Sequence, residues 1–156
     1  MIVKLDYKQL VEVFSAALTP LIAIVAIYIA YQQFQTNRSK LRHDLYEKRI
    51  KVYRKIYEHL GSIVAFGDVQ DEKIIDFYSE TSDSQFLFDS EISDYVRSIY
   101  QKSTELHTVM KYVKGQYKCS EEKRLEAIDK DAQLMRWFSA QFEVTKKKFT
   151  RYLRIE

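Results

Sequence analysis

The chain contains very little glycine, proline or cysteine. Its 156 residues include three glycines, one proline and one cysteine. Because a β-sandwich or β-barrel needs turn residues about every 8–12 positions, this scarcity argues against an all-β fold and favours helices. The lone Cys119 excludes an intrachain disulfide framework and a cysteine-based zinc finger. The length fits one domain with an appended segment.

The chain also lacks the motifs of common enzyme classes. Its glycines are isolated, which excludes a phosphate-binding loop, and it has no Gly-x-Ser-x-Gly elbow and no HExxH zinc motif. The histidines, His43, His59 and His107, are scattered, and we expect each at the surface or at the edge of a bundle. The sequence therefore assigns no catalytic residue, no metal site and no cofactor.

One nuclease-like pattern is kept as a minor alternative. The segments from Arg38 to His43 and from Arg54 to His59 both read Arg-x4-His. This spacing resembles the motif of helical RNases, in which the two residues act on a phosphodiester across a dimer. The polar residue that usually follows the arginine is absent from both segments. Because the chain contains many arginines, matches to this spacing are expected by chance.

Charge is missing from one long stretch. Residues 13–31, VFSAALTPLIAIVAIYIAY, carry none, and the next charged residue is Arg38. At about 1.5 Å per residue, such a helix spans a hydrocarbon core of roughly 30 Å. The run predicts a transmembrane helix, continuous through a kink at Pro20; the alternative is a helix that starts near Thr19 and is capped by Pro20, with residues 7–18 forming a separate interfacial turn. A cleaved signal peptide and a buried soluble helix are the alternatives, and bulky Tyr28 and Tyr31 at the expected cleavage position disfavour the first.

The flanking charges predict the orientation of this helix. Residues 38–55 contain eight basic and two acidic residues, whereas the charges of residues 1–12 sum to zero. The positive-inside rule then places the N-terminus outside and the rest of the chain in the cytoplasm.

Apolar periodicity predicts helices throughout the remainder. The first helix is expected to continue to Phe66, before Gly67. A short helix is expected over residues 71–79, and a third from an N-cap at Ser90 to Gly115. A last helix opens at Ser120. Its expected apolar stripe is Leu125, Ile128, Ala132, Met135, Phe138, Phe142 and Phe149.

The predicted fold is therefore all-α. A transmembrane helix within residues 1–37 continues into an antiparallel cytoplasmic bundle, residues 38–156, of three long helices and one short helix.

Small and polar side chains recur along one face of the apolar helix, while larger ones cover its other sides. In lipid, helices associate through such small residues and through hydrogen bonds. The pattern predicts self-association, and with four or more helices it predicts a narrow pore. The predicted packing or pore-lining residues are Ser15, Thr19, Ala23, Ala26, Ala30, Gln33 and Asn37.

The basic residues after the apolar run are predicted to bind anionic lipid. Two further interpretations stay open: a site for an anionic nucleotide or oligonucleotide, and a contact with a cytoplasmic protein partner. The residues concerned are Arg38, Lys40, Arg42, Lys48 and Arg49.

A recurrent pattern covers roughly residues 30–110. It reads Tyr31-Gln32-Gln33, Asn37-Arg38, Lys40-Leu41, Asp44-Leu45-Tyr46-Glu47-Lys48-Arg49 and Val52-Tyr53, followed by Phe86-Leu87-Phe88, Glu91-Ile92 and Tyr95. It resembles small bacterial proteins with one N-terminal transmembrane helix. Some of these are similar to antiphage effectors that permeabilise the inner membrane once a partner senses infection. The resemblance implies a homo-oligomeric inner-membrane channel in antiviral defence; the alternative is a membrane-tethered adaptor that recruits a cytoplasmic partner.

Overall fold

The computed structural model describes residues 7–154. For Gln9, Leu10, Val13, Phe14, Ala17 and Thr19 the description covers the backbone alone. All regular structure within residues 7–154 is helical, which confirms the all-α prediction. The helices are α1 (Tyr7–Phe66), α2 (Asp71–Thr81), α3 (Ser84–Leu87), α4 (Ser90–Val113) and α5 (Glu121–Phe149).

The chain divides into two compact units, Met1–Asp44 and Leu45–Glu156. The first contains α1 from Tyr7 to Asp44. The helix is uninterrupted at Pro20, which confirms a continuous helix at that position. Because proline lacks an amide hydrogen and crowds the preceding turn, its presence inside a helix costs about 3 kcal/mol in water.

Among the described residues, no helix combines the length and the hydropathy needed to cross a lipid bilayer. The run predicted to do so, residues 13–31, includes Val13, Phe14, Ala17 and Thr19, whose side chains lie outside the described residues. The structure thus gives the predicted transmembrane helix no support.

The second unit is an antiparallel bundle of the C-terminal part of α1 with α2, α4 and α5. The Tyr57 hydroxyl of α1 donates to the Phe142 carbonyl of α5 at 2.9 Å, and nearer the start of the bundle the Tyr53 ring lies 5.6 Å from that of Phe149. From the first pair to the second, the residue number falls in α1 and rises in α5, so the two helices run in opposite directions. The single turn α3 is the only described helix of this unit that the sequence did not predict.

Each helix buries an apolar face in one core. On α1, Val52, Ile56, Leu60 and Ile63 are at most 2% exposed. This spacing of four, four and three keeps their side chains on one side of the helix. The predicted third helix is α4, and it buries Ile92, Val96, Ile99, Ser103 and Leu106 at a spacing of four, three, four and three.

The predicted α5 stripe is wrong at its N-terminal end. Leu125 and Ile128 are 57% and 44% exposed. The buried face instead passes through Gln141 and Thr145, two polar residues that a search for apolar periodicity does not select. Both satisfy their hydrogen-bonding groups on the backbone one turn earlier, which removes most of the cost of burying them.

Helix ends follow local chemistry. Asp89 rather than Ser90 is the N-cap of α4, since its carboxylate accepts from the Ile92 amide at 3.3 Å. Ser120 caps α5 as predicted. Gly67 and Gly115, with φ of 66° and 70°, allow the chain to leave α1 and α4 in a left-handed conformation.

Candidate functional site

The apolar part of α1 exposes large side chains. Ten of them are between 49% and 70% exposed: Leu18, Leu21, Ile22, Ile24, Val25, Ile27, Tyr28, Ile29, Tyr31 and Phe34. At about 100° per residue these positions cover roughly 240° of the helix circumference. This arrangement is apolar on almost every side, unlike a surface helix that hides one stripe against a core.

The rest of the helix circumference carries small and polar side chains. Because α1 is continuous, the predicted set occupies a sector of about 80° on one face. Ser15, Ala23, Ala26, Ala30, Gln33 and Asn37 are exposed, whereas the Thr19 side chain lies outside the description. The helix therefore aligns the predicted residues.

Hydrogen bonds between side chains mark the end of the apolar part. The Gln32 amide donates to the Tyr28 hydroxyl, and the Gln35 amide donates to the Tyr31 hydroxyl, both at 3.0 Å. Amphipathic tyrosines next to polar side chains are typical of the boundary between an apolar medium and water.

The predicted basic residues divide between the units. Arg38, Lys40 and Arg42 lie in the first unit and Lys48 and Arg49 in the second. The first four are exposed, which leaves them accessible to an anionic surface.

Arg49 differs, because it is half-buried and held by the bundle. Its Nε donates to the Leu87 carbonyl at 3.1 Å. Its guanidinium carbon lies 5.8 Å from the centre of the Phe88 ring and 5.5 Å from that of Tyr152. Such cation–π contacts stabilise the packing of α1 against the α3–α4 connection and the end of α5. Arg49 thus has a structural role that sequence reasoning missed.

His59 is buried, so its predicted place at the surface or bundle edge is wrong. It is 7% exposed, and its ring stacks on Phe77 with centres 4.3 Å apart. Its Nε2 lies 2.8 Å from Ser103 Oγ, and that hydroxyl donates to the Ile99 carbonyl. The hydroxyl hydrogen is therefore already used, and the imidazole must be the donor to Ser103. Burial lowers the pKa of His59 to about 4, so the ring is neutral at pH 7.

A cleft of about 140 Å³ opens beside this histidine, between α1 and α2. Lys55 crosses it with contacts of 3.0 Å to Glu58 and 2.8 Å to Glu80, and these bonds, that to Glu80 foremost, raise the lysine pKa. The cleft charges are thus largely engaged with one another. Ser103 is fully buried and cannot reach a substrate, so the His59–Ser103 pair has the geometry of a core hydrogen bond.

The fold separates the two side chains of the second nuclease-like segment. Arg54 is exposed while His59 points into the core, so the side chains of this Arg-x4-His segment do not face a common substrate. Within the described residues, no group of three or more His, Cys, Asp or Glu side chains is arranged to hold a metal ion.

Comparison of the chain with family models, curated proteins and solved structures finds no match, so its own geometry carries the functional argument.

Proposed function

We propose that this protein is a homo-oligomeric effector of the bacterial inner membrane. The apolar part of α1 inserts into the bilayer. It associates with its copies through the face that carries Ser15, Ala23, Ala26 and Ala30, which we call the small-residue face. The bundle lies in the cytoplasm and receives a signal, from a protein or an anionic nucleotide, that opens an ion-conducting pore. The resemblance noted above favours a role in antiphage defence.

The observation that carries this proposal is the all-round exposure of apolar side chains on α1. Fully burying a large apolar side chain contributes about 1.5–3 kcal/mol, so the seven aliphatic residues between Leu18 and Ile29, each 49–70% exposed, together represent on the order of 6–12 kcal/mol. This is comparable with the whole stability of a domain, about 5–15 kcal/mol. An environment that covers this surface is therefore needed, and lipid covers all sides at once.

The distribution of side-chain size supports self-association. A water-soluble coiled coil keeps a narrow apolar seam and charged outer positions. Here residues 13–37 carry no charge, and the small side chains occupy only one sector. In a membrane oligomer the bulky residues face lipid and the small residues face neighbouring helices, so every side of this part of α1 is covered.

The test combines flotation with liposomes, native mass spectrometry in detergent and ion flux in proteoliposomes. We expect flotation that survives carbonate extraction, a discrete oligomer, and flux in at least one state. A chain that stays in the soluble phase refutes insertion. A monomer that conducts no ions refutes the pore.

Matched variants test the small-residue face. The pair Ala23→Leu and Ala30→Leu adds bulk to that face, whereas the pair Leu21→Ile and Ile24→Leu preserves volume on the opposite side. Both keep the run apolar, so both should float. Only the alanine pair should dissociate the oligomer.

The adaptor hypothesis predicts a different result. Replacing residues 13–31 by polyleucine keeps an anchor and removes the small-residue face. An adaptor retains its cellular activity after this exchange, whereas a channel loses it.

A further inference from the structure

One end of the bundle brings together basic residues from two distant parts of the chain. The contact between Arg49 and Tyr152 and the neighbouring ring pair of Tyr53 and Phe149 join the first turns of α1 in this unit to the end of α5. We call this region the basic end of the bundle. Its exposed cations are Lys48, Lys51, Lys146, Lys147 and Arg154.

Two acidic residues at this end, Asp89 and Glu91, are engaged by other cations. Arg151 contacts both Asp89 and Glu91, and Lys148 also contacts Glu91. The hydrogen bond from Lys148 lowers the pKa of Glu91 below its usual value, so this carboxylate stays ionised and paired. Glu47, Asp83 and Glu143 also lie near this end, but the five exposed cations outnumber them, so the net charge of the basic end is positive.

A large aromatic side chain is exposed in the same region. Phe86, on α3, is 81% exposed, although the next two residues, Leu87 and Phe88, are partly buried against the core. The bond from Arg49 to the Leu87 carbonyl fixes this turn at the basic end. An exposed aromatic ring near several lysines is the combination found on surfaces that adsorb to anionic membranes.

We propose that the basic end docks on the surface of an anionic lipid bilayer. Phe86 enters the boundary between headgroups and acyl chains, and Lys146 and Lys147 of α5 join Lys48 and Lys51 of α1 in contacting lipid phosphates. This inference rests on the proposed membrane function and adds to it a second, electrostatic contact made by the bundle itself.

The aromatic packing favours lipid over nucleic acid as the occupant. Single-stranded nucleic acid binds where successive bases find free ring faces. At the basic end, the rings of Phe88 and Tyr152 pack edge to face at 5.1 Å, and Arg49 lies over both. This leaves Phe86 as a single projecting ring, which suits insertion better than a stacking platform.

The test places an environment-sensitive fluorophore on the full chain, in a Cys119→Ser background, at Phe86→Cys. The matched control is Phe66→Cys, because Phe66 is 80% exposed and lies at the other end of α1 in the bundle. Both proteins are reconstituted in vesicles of phosphatidylcholine, with or without one quarter phosphatidylglycerol, with a headgroup-attached quencher. Flotation of the same samples reports insertion separately.

We expect the label at position 86 to be quenched in anionic vesicles and the label at position 66 to stay unquenched. Lys146→Glu with Lys147→Glu should lower docking about thirtyfold or more while flotation persists, since each lysine near such a surface contributes a factor of about five. The control pair Lys118→Glu and Arg124→Glu should have no effect.

Flotation without quenching at position 86 overturns the docking proposal and leaves the proposed function standing. Failure to float overturns the proposed function. Quenching that does not depend on phosphatidylglycerol, or that an added oligonucleotide abolishes at stoichiometric amounts, also refutes docking on anionic lipid.

Discussion

Acid sensitivity of the bundle should depend on one buried imidazole. His59 is packed against Phe77 and donates to Ser103, and desolvation lowers its pKa from 6.5 to about 4. In the unfolded chain the ring recovers its ordinary pKa. Between these values the unfolded state binds a proton that the folded state does not, so the free energy of unfolding falls as the pH falls.

The size of the effect follows from the separation of the two pKa values. Each pKa unit corresponds to about 1.4 kcal/mol, so His59 should remove about 3 kcal/mol of stability between pH 6.5 and pH 4. Its contribution to the pH dependence should fade above pH 6.5 and be absent by about pH 8. This change is a large fraction of the stability of a small domain.

The assay is urea unfolding of the full chain in a nonionic detergent, followed by Trp137 fluorescence. Trp137 is the sole tryptophan, and it packs beside Phe138 in the bundle. His59→Gln keeps a donor for the Ser103 hydroxyl and removes the titration. The wild type should lose about 3 kcal/mol more than the variant over this pH range. Parallel pH profiles for the two proteins would refute the assignment of a neutral, desolvated His59.

Three further predictions use the same unfolding assay. Ser103→Ala leaves the buried imidazole N–H without an acceptor and should cost about 1–3 kcal/mol. Gly61→Ala, in the interior of α1 with open space around the new methyl group, should stabilise by about 0.5–1 kcal/mol, whereas Gly67→Ala, at φ 66°, should destabilise. Phe138→Ala should cost about 3–5 kcal/mol and Leu125→Ala much less, and equal costs would contradict the buried face of α5.

Helix ends were predictable because they depend on short-range chemistry. Gly67 and Gly115 end helices through a backbone conformation that other residues rarely adopt, and Ser120 opens α5 through a bond to an amide three residues away. The single turn α3 was missed because its four residues, which include one exposed ring and one partly buried leucine, are too few to show a helical periodicity.

Buried polar residues were the main failure, since their partners lie far away in the sequence. His59 becomes a core residue only because Ser103, 44 positions later, offers a hydroxyl at 2.8 Å. Gln141 and Thr145 lie in the core beside another distant residue, because the Tyr95 hydroxyl donates to the Gln141 carbonyl at 3.3 Å and lies 2.6 Å from the Thr145 hydroxyl. Apolar periodicity alone cannot rank these positions above Leu125, which is the better hydrophobe but lies at the surface.

The candidate site shows the same division between local and distant information. The aligned face from Ser15 to Asn37 follows from helical spacing alone, once the helix is known to be continuous. In the sequence Phe86-Leu87-Phe88, by contrast, nothing identifies the residue that faces solvent. The structure shows Arg49 bound to the Leu87 carbonyl and lying over the Phe88 ring, while Phe86 is 81% exposed.

Insertion of the apolar part of α1 and docking of the basic end need different surroundings. Together they favour a bilayer over a water-soluble oligomer. Burial of the apolar side chains from Leu18 to Phe34 needs only an apolar medium, which a water-soluble oligomer of helices also provides. The proposed docking of the basic end needs dense negative charge for its lysines and, for Phe86, an apolar layer within the length of a side chain. In an oligomer, the basic end of one copy cannot supply negative charge to the basic end of another. An anionic bilayer supplies both, because its phosphates lie directly above its hydrocarbon core.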